Sequence, residues 1–149
     1  MMLSSICTLD PVCCQRTTTA REAAALMREH HLGDLVVVDD PDDDRLVVGV
    51  ITDRDLAVDV MAQGLDPNKT VVGSLMRTPV VLARVSEEIS VAIERMQAHG
   101  VRRLPIVDDH EKVVGVITLD DLLALNASNA AAISEIVNRG RRDAIRRHR

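Results

Sequence analysis

The sequence predicts an α/β protein (α+β under some schemes): two β-α-β-β-α repeats packed with pseudo-two-fold symmetry, followed by a basic C-terminal helix or tail. Three observations carry this expectation. Residues 49–56, GVITDRDL, return at 115–122 as GVITLDDL, with six of eight positions identical at an offset of 66. LVVVDD at 35–40 returns as LPIVDD at 104–109, and Asp10-Pro11-Val12 is answered by Thr78-Pro79-Val80. In both copies the β-rich runs follow a segment of helical apolar period.

Each element has its own signal. The repeat opens on an extended piece, Val12 to Cys14 and Val80 to Leu82. A helix follows. In copy one Thr19 and Glu22 have the spacing of a capping box. In copy two Ser86-Glu87-Glu88-Ile89 is the expected cap, and Val91, Ile93 and Met96 form the apolar side, with Val85 and Ile89 as further candidates. Gly33 and Gly100 are expected to stop these helices. Two β-rich runs then pair through a polar turn, 35–38 with 46–51 and 104–107 with 113–117, each predicting a hairpin. The second helix starts after Thr52 and after Thr118 and runs to about Gln63 and Leu125. The organisation is repeat 1 over 4–64, a Gly/Pro/Asn-bearing connector over 65–71, repeat 2 over 72–126, and an Ala-rich then Arg-rich segment over 127–149, helical until Asn138-Arg139-Gly140. A repeat of about 55–60 residues is small for an independent core, so the two are expected to pack on one another.

Composition narrows the function. The chain is 46% hydrophobic and 28% charged, which excludes global disorder. It holds no Phe, Tyr or Trp, which excludes sites built on aromatic stacking or aromatic cages. No apolar run approaches a membrane span, and MMLSSICTLDP lacks the pattern of a secretory signal. Three cysteines, two of them adjacent, make a poor disulfide framework, so a cytoplasmic location is expected. The net charge of −5 hides an asymmetry: residues 139–149 carry six Arg against one Asp, leaving the rest of the chain acidic.

No nucleotide-loop, nucleophile-elbow or metalloprotease motif is present, and His110 sits in a turn without a nucleophile beside it, so no enzyme activity is expected. Cys13, Cys14, His30, His31 and His99 are low-ranking metal candidates. The Cys pair lacks ligand spacing, and the histidines also suit helix C-terminal ends. The run Asp39-Asp40-Pro41-Asp42-Asp43-Asp44 lacks the order of a calcium loop and reads as a solvated turn. The Arg-rich end admits nucleic acid, an anionic membrane or a partner protein, with a solvated helix or frayed tail as the default.

The strand-to-helix signature Thr-x-x-Asp is the strongest chemical feature. Thr52 and Thr118 can cap a helix or donate to a phosphate. Asp55 and Asp121, one turn on, are placed to accept from vicinal hydroxyls such as those of ribose. The plain alternative is an ordinary helix start: a threonine cap with a dipole-favoured acid. Arg102 and Arg103 precede the copy-two strand, and Arg54 begins the copy-one helix. Each is a candidate phosphate partner. The copies differ, since Leu119-Asp120 replaces Asp53-Arg54 and Asp34 stands where copy two has Arg103. Unequal phosphate affinity follows.

With these motifs in order, the sequence resembles a tandem pair of CBS (cystathionine β-synthase-type) domains, a Bateman module, over roughly residues 4–126. MREHHLGDL, ITDRDL and GLDPN further resemble small stand-alone bacterial CBS-pair proteins, some of them stress-associated. The resemblance implies a non-catalytic sensor with no required cofactor. It would bind an adenosine-containing ligand (AMP, ADP, ATP, an S-adenosyl compound or NAD(H)) in the clefts between the repeats. By family position Thr52, Asp55, Thr118 and Asp121 would hold the sugar and phosphate, and Val12, Val80, Ile51 and Ile117 would flank the base. It also implies a homodimer and an effector protein in trans. The alternatives are a ligand-free interaction or scaffold protein, and a metal-binding stress-response protein.

Overall fold

The computed structural model describes residues 1–39, 45–125 and 130–147. The tip of the Asp-rich turn, Asp40 to Asp44, lies outside the described residues, as do residues 126–129 and 148–149 of the C-terminal segment. In chain order the elements are β1 (Thr8–Leu9), β2 (Cys13–Cys14), α1 (Ala20–His30), β3 (Asp34–Val38), β4 (Val47–Thr52), α2 (Asp53–Asp55), β5 (Ala83–Arg84), α3 (Ile89–His99), β6 (Arg103–Val107), β7 (Val113–Thr118), α4 (Leu119–Ala124) and α5 (Ala130–Arg147). From β2 to α2, and again from β5 to α4, the order is strand–helix–strand–strand–helix, as the repeat requires.

The chain forms two compact units. The first comprises Pro11–Val80 with Glu111–Val113, and the second Met1–Asp10, Val81–His110 and Val114–Arg149. The unit and the sequence repeat therefore divide the chain differently at its start, because β1 pairs antiparallel with β7, Thr8 opposite Val116.

In the first unit β2 runs parallel to β3, and β3 pairs antiparallel with β4, with a register irregularity between Val37 and Val38. Helix α1 starts on the expected capping box: the Glu22 N–H donates to Thr19 Oγ1 at 3.1 Å, and the Thr19 N–H donates to Glu22 Oε2 at 2.9 Å. Ala20, Ala23 and Met27 are buried, and Ala23 and Met27 pack in a core with Cys14, Leu35, Val37, Ile51 and Val72. The end of the helix corrects the sequence reading. His31, not Gly33, takes the left-handed position (φ 55°), and its N–H reaches the Met27 carbonyl. The α2 turn continues as a π-helical turn over Leu56–Met61, with the Ala62 N–H donating to the Ala57 carbonyl.

In the second unit the sheet order is β1-β7-β6-β5. Pairing of β5 begins at Ala83, opposite Ile106, and not at the expected Val80–Leu82. Ala83 is the residue of this stretch that is fully buried. Ser86 does not cap α3: Glu88 is the N-cap without a side-chain capping bond, and its carboxylate instead accepts from the Met1 amino group at 2.9 Å. Glu87 is used instead. Its carboxylate accepts the Arg84 N–H at 2.7 Å and both terminal nitrogens of Arg95 at 2.6 and 2.7 Å. Gly100 ends α3 at φ 65°, as expected.

The C-terminal segment departs further from expectation. Helix α5 passes through Gly140 without stopping. A Cβ at Gly140 would stand 3.3 Å from the Gly100 carbonyl oxygen, so this glycine permits close approach to the end of α3. Ile136 is fully buried among Leu104, Leu122 and Met96, the Gln97 amide bonds Glu135, and Arg139 bonds the Gln97 carbonyl. Burying one Ile contributes about 1.5–3 kcal/mol. The start of the Arg-rich stretch is therefore a docked helix and not a frayed tail.

Hydrogen bonds from Arg95 hold the Glu87 carboxyl below its ordinary value of 4.5, against the opposing effect of its burial. A depressed folded-state value contributes stability above the unfolded value, and that contribution is lost as pH falls through the folded value. Glu87→Gln is therefore expected to lower stability by about 1 kcal/mol at pH 7. In thermal melts followed by circular dichroism the gap to wild type should close below about pH 4.5. A gap independent of pH contradicts this.

Candidate functional site

The two strand-to-helix junctions share one construction. At the end of β4, Thr52 lies at φ −113°, ψ 161°; at the end of β7, Thr118 lies at φ −116°, ψ 162°. In the first junction Thr52 Oγ1 accepts the Asp55 N–H at 3.1 Å, and Asp55 Oδ2 accepts the Thr52 N–H at 3.0 Å. In the second, Thr118 Oγ1 accepts the Asp121 N–H at 3.1 Å, and Asp121 Oδ2 accepts the Thr118 N–H at 2.9 Å. Each is a capping box with Asp in the third helical position, which satisfies two backbone N–H groups at the change from strand to helix. The helix-start reading of Thr-x-x-Asp is thus realised in full. It leaves the Thr hydroxyl proton for donation and further lone pairs on the carboxylate for acceptance.

A second pair of bonds repeats as well. The Asp53 N–H donates to the Gly33 carbonyl at 2.9 Å, and the Leu119 N–H to the Arg102 carbonyl at 2.7 Å. The glycine of each Gly-Val-Ile-Thr is a close-approach position. A Cβ on Gly49 would meet Met76 Sδ at 2.5 Å, and one on Gly115 would meet the Thr8 carbonyl oxygen at 2.7 Å and Cys7 Sγ at 3.0 Å. The backbone of Arg77 bridges Val50 as that of Thr8 bridges Val116. Met76-Arg77 and Cys7-Thr8 thus hold equivalent places.

Side chains at those places separate the junctions. Arg77 Nε and Nη2 both donate to Asp55 Oδ1, at 3.0 and 2.8 Å, and Asp55 is 2% exposed. At the second junction the equivalent residue is Thr8, Asp121 is half-buried, and among the described residues Asp121 carries no ion pair. Sequence reasoning missed Arg77. It lies 22 residues from Asp55, just outside the Thr78-Pro79-Val80 motif, and only the bridge to Val50 brings it back.

The other candidates fall in several places. Val12 is half-buried against the first core. Val80 is half-buried and closes the first unit, whereas Thr118 and Asp121 belong to the second. Ile51 and Ile117 have no exposed surface: they are inward positions of their strands and lie in the two cores. Arg54 and Arg102 are exposed, and Arg103 is half-buried within β6 and engaged with a neighbour. His30, His31 and His99 are exposed at helix ends. Burial pushes the Cys14 thiol up to about 12 and raises that of Cys13, which opposes thiolate ligation. Among the described residues no three His, Cys, Asp or Glu side chains converge on a metal-sized site, and no helix is long and apolar enough to cross a membrane.

The duplicated fold and the duplicated junction define a tandem CBS-pair architecture. The chain belongs to the CBS domain family, whose pattern it matches over residues 3–61 and 72–128. It is 39% identical over 90 residues to the CBS domain-containing protein YhcV of Bacillus subtilis, covering 60% of this chain and 63% of that one. Over the first curated relatives it matches, the chain spans between 45% and 63% of their length. Among solved structures it is similar to Hypoxic Response Protein I with two coordinated zinc ions (TM-score 0.74, 32% identity, 83% of this chain and 98% of that one). It is also similar to the CBS domain pair of protein MJ0100 in complex with 5′-methylthioadenosine and S-adenosyl-L-methionine (TM-score 0.74, 27% identity, 85% and 95%).

The ion pair has a measurable consequence. Arg77→Ala leaves a buried carboxylate without its cation and is expected to cost about 2 kcal/mol, discounted because Arg77 is partly exposed. Thr52→Ala and Thr118→Ala each remove one cap and should cost about 1 kcal/mol. Urea unfolding midpoints measure all three, and an Arg77→Ala protein as stable as wild type contradicts the pairing.

Proposed function

We propose that this CBS-domain protein is a non-catalytic regulatory sensor of an adenosine-containing ligand, held at Thr-x-x-Asp junctions of the kind described above. The reading rests on one observation: the same reciprocal Thr–Asp turn is built twice, to within a few degrees and tenths of an ångström. A Thr hydroxyl and an Asp carboxylate side by side match the donor and acceptor needs of a ribose edge. The likeness to the MJ0100 pair, solved with two adenosyl compounds, supports adenosine as the common part. The base would meet aliphatic side chains such as Val12 and Val80, since the chain has no aromatic residue. The candidate cations for a phosphate are Arg54, beside Asp55 in sequence, and Arg102 and Arg103, of which Arg102 accepts the Leu119 N–H through its carbonyl.

The location proposed is the cytoplasm, in keeping with three free thiols. The working form proposed is a homodimer. Large apolar side chains stand exposed near the end of the second helix of each repeat, Met61 and Leu65 in one and Leu123 and Leu125 in the other. The signal passes to another protein in trans.

Thermal melts with 5′-methylthioadenosine, S-adenosylmethionine, AMP, ADP, ATP and NAD(H) test the reading. A ligand at 100 times its Kd stabilises by about 2.7 kcal/mol, an upward shift in Tm of roughly 5–10 °C for a chain of this size. At least one of these compounds should produce it, and the protein should sediment as a dimer. No shift with any of them overturns the sensor reading in favour of a ligand-free scaffold.

A further inference from the structure

We infer that Arg77 is a built-in occupant of the first junction, so that this chain takes a ribose diol at the second junction, through Asp121, and at the first only once Arg77 is displaced. The inference rests on the sensor reading above and adds to it which junction works and what makes the other different.

A ribose diol presents two O–H donors about as far apart as the two oxygens of a carboxylate. Arg77 presents two N–H donors, Nε and Nη2, and both fall on Asp55 Oδ1. The other oxygen, Oδ2, is taken by the Thr52 N–H. The Asp55 carboxylate is therefore supplied with three donors while its residue is 2% exposed. A neutral hydroxyl pair would have to replace a charge-assisted contact and strand the guanidinium, which disfavours exchange. At the second junction the cap is the same and, among the described residues, no cation stands at the equivalent place. Thr8 occupies the equivalent backbone bridge, and a Thr side chain is too short and has no charge to do the work of Arg77. Asp121 Oδ2 takes the Thr118 N–H at 2.9 Å, and among the described residues no arginine or lysine pairs with its carboxylate. The distinction lies outside Thr-x-x-Asp itself, because both copies carry that motif unchanged.

Calorimetric titration of the full-length protein with 5′-methylthioadenosine, an uncharged probe, tests this. Wild type should bind one equivalent per chain. Asp121→Asn keeps an oxygen for the Thr118 N–H and should weaken binding by about tenfold or more. Arg77→Thr, which gives the first junction the residue that the second has, should raise the stoichiometry towards two. Two equivalents in wild type, or full binding in Asp121→Asn, overturns the assignment to Arg77 while leaving the sensor reading in place. Both results stand even where Arg77→Thr fails to fold. Absence of binding by 5′-methylthioadenosine and by every compound of the thermal series overturns the sensor reading, and this inference with it.

Discussion

A strand can pass directly into a helix only if the first N–H groups of the helix find acceptors, and in this protein a Thr and an Asp three residues apart supply them. The Thr side chain accepts from the Asp N–H and the Asp side chain accepts from the Thr N–H, so each residue satisfies the other's backbone. The hairpin β3–β4 sets where the first junction falls, with Asp34 opposite Thr52. The glycine two residues after the start of β4 lets the Met76-Arg77 segment lie close over the strand. Removing either partner would leave backbone donors unsatisfied and loosen the point on which the second helix of the repeat is hung.

The same economy gives the junction its chemical potential. A cap uses one lone pair of the hydroxyl and one face of the carboxylate, and leaves an O–H donor and carboxylate acceptors at a fixed separation. What stands against that edge then decides its use. In the first unit it is an arginine, and the result is an ion pair between a partly exposed guanidinium and a buried carboxylate. In the second unit Thr8 holds the equivalent place on the backbone, with Cys7 beside Gly115, its thiol raised by burial and by the charge of Asp121. On the function proposed above, the two copies of one turn divide between a structural task and one open to ligand. A ligand that prefers one arrangement of such a protein shifts its population by the difference in affinity, with no reaction required.

Much of this was legible in the chain. The repeat, the hairpins, the Thr19–Glu22 box and the Gly100 stop follow from local spacing, and local spacing fixes caps and turns. Other features were settled by partners far away in sequence. His31 replaces Gly33 as the left-handed residue, and Gly140 serves as a contact with Gly100 although its type suggested a stop. Glu87 pairs with Arg95 where Ser86 was the expected cap. The placement of β1 beside β7 and the reach of Arg77 to Asp55 depend on tertiary packing, which no window of neighbouring residues contains. At the junction the same limit applies: the motif specified the cap, and residues outside the motif specified what the cap faces.

A crystal structure of the protein grown with 5′-methylthioadenosine would decide where the nucleoside sits. The ribose hydroxyls should lie on the Asp121 carboxylate, beside the Thr118 hydroxyl, with Arg77 still on Asp55. Nucleoside bound away from both Thr-x-x-Asp turns, or seated on Asp55 with Arg77 undisturbed, would contradict this placement.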